Sequence, residues 1–73
     1  MSEDLATDTI RKLEDVVASN ALPEHTVELL RVSLSQARTA QAAGHDQEAV
    51  TIANQALQTA ENASRGQGDA GDQ

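Results

Sequence analysis

Five alanines recur at a regular interval in the second half of the chain. Ala49, Ala53, Ala56, Ala60 and Ala63 are spaced four, three, four and three residues apart. That interval lines them along one side of an α-helix, as the two inner positions of a heptad repeat. The distance between packed helices depends on the side chains at their contact, so a seam of methyl groups admits a close neighbour. High helix propensity alone accounts for abundant alanine, but not for its spacing. The row therefore predicts a helix over residues 46–63 packed tightly against another. Val50, Ile52 and Leu57 flank it and reach toward the first helix or a partner.

The segment that precedes it, Pro23 to Gly44, supplies the neighbour. Proline suits the start of a helix, where its missing N–H has no partner to lose. Glu24 places negative charge at the positive end of the helix dipole. Gly44 supplies a residue free to take positive φ at the far end. No Gly or Pro interrupts the run between them. Val27, Leu30, Leu34 and Ala37 form one apolar stripe at helical spacing. Leu29, Val32 and Ala40 fall on a different side. A helix with apolar residues on two sides is expected to be touched on both, by the helices before and after it or by one of those and a partner chain. Ala37, Ala40 and Ala43 stand ready to face the alanine row, which predicts an antiparallel hairpin of the second and third helices.

Ahead of it, Ala6, Ile10, Leu13 and Val17 repeat at helical spacing, with Leu5 and Val16 beside them. Ser2 is placed to cap this first helix, with Glu3 and Asp4 in its first turn. Asp8–Lys12 and Arg11–Asp15 are four apart, the spacing of supporting ion pairs. Ser19-Asn20 ends the helix ahead of Pro23. His45 or Asp46 caps the third helix. From Ser64 the sequence SRGQGDAGDQ holds three of the four glycines and no large apolar residue, which predicts a disordered C-terminal tail. The expected fold is an all-α three-helix bundle over residues 1–63, with helices at about 3–18, 23–43 and 46–63 and the tail at 64–73.

The core of such a bundle is thin. The 73 residues include no Phe, Trp, Tyr or Cys, and self-association is a common remedy at this size. Lack of cysteine removes disulfides and thiol chemistry, and fits a reducing compartment. No apolar run is long enough to cross a membrane, and residues 1–20 lack the basic start and apolar centre of a secretory signal. The expected location is cytoplasmic. Twelve acids against five bases give a net charge of −7, which argues against a nucleic-acid backbone or an anionic membrane as partner. The bases are scattered and no aromatic is present to stack on a nucleotide.

Residues 37–57, ARTAQAAGHDQEAVTIANQAL, resemble the helical hairpin of tetratricopeptide-type repeats. There, a small residue and a Gly close the first helix and a Glu-Ala pair opens the second, with a small residue near its middle. Ala40, Gly44, Glu48, Ala49 and Ala56 stand in roughly those positions. The aromatic residues and closing proline of such repeats are missing, and no second copy flanks the segment. Because a solenoid needs about three repeats to bury a continuous core, the resemblance implies one tightly turned hairpin and protein–protein contact, not a peptide-binding solenoid.

Chemistry-bearing patterns are sparse. His25 and His45 each lie at a helix start, neither at metal-ligand spacing from a second His; Asp46 and Glu48 beside His45 are accounted for by capping and the dipole. The glycines of the tail form no phosphate loop. Glu14-Asp15 are adjacent on one helix face, not opposed across a cleft. Small acidic carrier proteins resemble the chain in size and charge, but they attach their prosthetic group at Asp-Ser-Leu. Here Ser33-Leu34 is preceded by Val32 in mid-helix. These features predict no enzyme, no cofactor, no metal and no small-molecule substrate. The expected function is a non-catalytic protein–protein interaction or structural module that self-associates as a homodimer or docks on another protein, with Leu29, Val32 and Ile52 as the candidate interface. The alternative is an acidic regulator or inhibitor that binds a basic protein through Glu3, Asp4, Asp8, Glu14 and Asp15.

Overall fold

The structure, a computed structural model, describes residues 2–19 and 21–70, with side chains from residue 5 to residue 64. Three α-helices account for almost all of it: α1 (Ser2–Ala18), α2 (Glu24–Ala42) and α3 (Asp46–Ala70). They form the three-helix bundle that the periodicity implies. The third helix packs extensively against both others, and α1 and α2 touch each other less.

The alanine row explains that arrangement. Ala49, Ala53, Ala56 and Ala60 are all buried, and α3 thereby becomes the thin inner post of the bundle. From α2 it is met by Leu30, Leu34, Ala37 and Ala40, and from α1 by Ala6, Ile10 and Leu13. Leu13 and Leu30 are the largest wholly buried side chains. Removing such groups from water is the main force that holds the helices together. Ala40, counted with the second stripe of α2 and also expected to face the alanine row, belongs to this core. Ala43 is exposed because the helix has already ended there.

Two further assignments on α1 change. Leu5, read beside the apolar stripe, is 57% exposed. Thr9 takes an inner place, since it lies three residues after Ala6 and four before Leu13. Its hydroxyl donates to the Leu5 carbonyl at 2.7 Å, so its burial leaves no polar atom unpaired.

The α2–α3 turn follows the Schellman pattern. The His45 N–H bonds to the Ala40 carbonyl at 2.8 Å and the Gly44 N–H to Gln41 at 3.0 Å, with Gly44 at φ +86°. At the other end of α2, Pro23 is the residue before the first turn rather than within it, and the Val27 N–H bonds to its carbonyl at 2.9 Å. His45 does the same for α3, accepting from the Ala49 N–H. The side chains of Ser2, Glu3 and Asp4, the proposed cap and first-turn acids of α1, lie outside the described residues, as does Asn20.

The end of α3 differs from the expected boundary at residue 63. Helical backbone continues to Ala70. No proline breaks it, and Gly66 and Gly68 cost only about 1 kcal/mol each relative to alanine. Among the residues whose side chains are described, up to Ser64, Ala60 is the last buried and Ala63 is half-buried. Residues 71–73 of the expected tail lie outside the described residues.

Candidate interaction surface

The two faces of α2 have different fates. Val27, Leu30, Leu34, Ala37 and Ala40 turn inward. Leu29 and Val32 stay outside, 51% and 57% exposed. They are three residues apart and so lie side by side on the helix surface. The helices of the chain do not cover this stripe, which leaves open the second of the two sequence-based accounts, a partner chain.

Ile52, the third expected interface residue, is placed differently. It is half-buried and packs against the core cluster. It also lines an open groove between α2 and α3, with Ser35, Gln36, Thr39 and Ala43 among the opposite walls. Val32 lies one turn before Gln36 on α2, so Leu29 and Val32 continue this wall toward the other end of the bundle. Leu29 and Val32 are thus outward groups of α2, while Ile52 of α3 lines the groove beside the later turns of α2.

Two other apolar features went unread in the sequence. Leu5 borders a groove with Val50 and Thr51 between α1 and α3. Val16, Leu22, Leu57 and Ala60 line another at the opposite end of the bundle, with Ser19 and Glu61 at its edge. Val50 and Leu57 therefore flank the seam on the α1 side, and Ile52 on the α2 side.

Electrostatics are those of a solvated surface. Asp8 and Asp15 are exposed, and Glu14 is engaged by Arg38 across the α1–α2 boundary. Among the described residues neither Asp8–Lys12 nor Arg11–Asp15 forms an ion pair. His45 Nδ1 lies 3.4 Å from Glu48 Oε1, one turn along at the start of α3. No group of three His, Cys, Asp or Glu among the described residues is arranged to hold a metal ion. No helix among them is long and apolar enough to cross a membrane.

A family model matches residues 4–63. The chain belongs to the PA14_33160 family. No curated protein and no solved structure matches it. The PA14_33160 span includes Leu29, Val32 and Ile52 and closes at Ala63.

Proposed function

We propose that this chain is a non-catalytic helical interaction module that self-associates through the outer face of α2. The observation that carries this reading is the exposure of Leu29 and Val32, side by side on a helix whose opposite face is buried. Isolated apolar residues are ordinary on protein surfaces, but a paired set on one helix beside an open groove fits helix-on-helix contact.

Light scattering over a wide concentration range tests it. The wild-type mass should climb from 7.7 kDa toward twice that value. Leu29→Lys/Val32→Lys should stay monomeric while keeping its helical signal, because both positions are exposed in the single chain. A wild-type protein that remains monomeric throughout would sink the proposal. The runner-up role, an acidic regulator of a basic protein, draws support from the charge of −7 and from exposed Asp8 and Asp15. Its mark would be a complex that dissociates as salt is raised.

A further inference from the structure

We propose that the α2–α3 turn is a hinge held shut by Gly44, and that a second copy of the chain can supply α3 in place of the chain's own. In that exchanged dimer, α3 of each copy packs on α1 and α2 of the other. The fold itself selects this occupant. Ile10 and Leu13 of α1 and Leu30 and Leu34 of α2 share one core with Ala49, Ala53, Ala56 and Ala60 of α3. The groove between α1 and α2 therefore fits a helix with a row of methyl groups at that spacing. Every copy carries such a helix, so exchange restores the same buried contacts. This route to a dimer uses neither Leu29 nor Val32.

The molecule divides cleanly for it. Arg38 to Glu14 and Gln41 to Thr7 join α2 to α1, so those two helices remain a pair when α3 leaves. Only Ala43, Gly44 and His45 connect α2 to α3, and all three are exposed, so opening the turn uncovers no core at the hinge itself. What holds it shut is conformation. Gly44 sits at φ +86°, where the His45 N–H reaches the Ala40 carbonyl and the Gly44 N–H reaches that of Gln41. An opened hinge, helical or extended, returns residue 44 to negative φ. The closed turn keeps the chain's own α3 at a high effective concentration, and a residue that resists positive φ lowers it. The choice between the chain's own α3 and a partner's thus turns on one backbone angle.

The test starts from Leu29→Lys/Val32→Lys, in which the outer face of α2 is disabled. Adding Gly44→Ala should convert that monomer to a dimer, as read by light scattering up to about 1 mM. The dissociation constant should tighten about a hundredfold, because each dimer relieves two hinges. Gly44→Asn should fall between, since asparagine tolerates the left-handed region better. A disulfide then reports the exchange, in a chain without cysteine of its own. Gln36 of α2 and Ile52 of α3 line one groove. Gly44→Ala chains carrying Gln36→Cys, mixed with others carrying Ile52→Cys, should cross-link to one another. Circular dichroism of each variant confirms that the helices persist. A Gly44→Ala chain that stays monomeric, or dimerises without that cross-link, would overturn the exchange and leave the contact through Leu29 and Val32 standing. A monomeric wild type beside a cross-linking Gly44→Ala dimer would uphold the exchange and remove that contact.

Discussion

Arg38 of α2 donates through Nη2 to Glu14 Oε2 of α1, closing the outer edge of the boundary between those helices. One turn further along α2, Gln41 Nε2 donates to Thr7 Oγ1 at 2.9 Å. The apolar core joins α3 to both neighbours, and these polar contacts mark where α1 and α2 meet at the surface.

Both partners of the ion pair are well exposed, with side-chain accessibilities of 56% and 39%. Water and salt therefore screen it, and Arg38→Ala should cost only about 0.2–1 kcal/mol. For a domain of this size that is a melting-point drop of about 1–8 °C. Thermal melts at low and high salt check it, and the difference from wild type should shrink at high salt. Loss of the folded state on this one change would mean that the pair, and not the apolar core, fixes α1.

The alanine seam makes the opposite demand, for small volume. Ala56 is buried where α3 passes between its neighbours. Ala56→Leu adds three carbons to a close-packed interior and should destabilise by about 1–3 kcal/mol. The melting point should fall by about 5–20 °C, as read by circular dichroism. An unchanged melting curve would mean that the helices stand far enough apart to accept a leucine, which ends the close-seam account.

Much of this arrangement was legible in the spacing of residues. Ala49 to Ala60 gave the inner face of α3, Val27 to Ala37 that of α2, and Gly44 the turn between them. Leu29 and Val32 were recognisable as a second stripe for the same reason. Periodicity assigns a residue to a face, however, and says nothing of which neighbour covers that face. Leu5 and Val16 both flank the α1 stripe, yet Leu5 is exposed whereas Val16 is half-buried against the core. Thr9 was passed over because it is polar, although its hydroxyl is satisfied within its own helix. The grooves beside Leu5 and Leu22 are products of how three helices cross, and no single helix contains them. The helical backbone beyond residue 63 was missed because glycine content was taken as the end of a helix, although no proline breaks the segment and each glycine costs only about 1 kcal/mol there.

The α2–α3 turn offers a test in which contact and conformation separate. Gly44 has φ +86°, and a methyl group added there would meet no atom within 4 Å. Any cost of Gly44→Ala must then come from the left-handed backbone that an L-residue resists, about 1–2 kcal/mol. Asparagine tolerates that conformation better, so Gly44→Asn should cost less than Gly44→Ala. Denaturant unfolding of the two variants beside wild type gives the order directly. Equal stability of all three would mean that the turn readily finds another conformation, and that the bond from His45 to Ala40 is not what fixes where α3 begins.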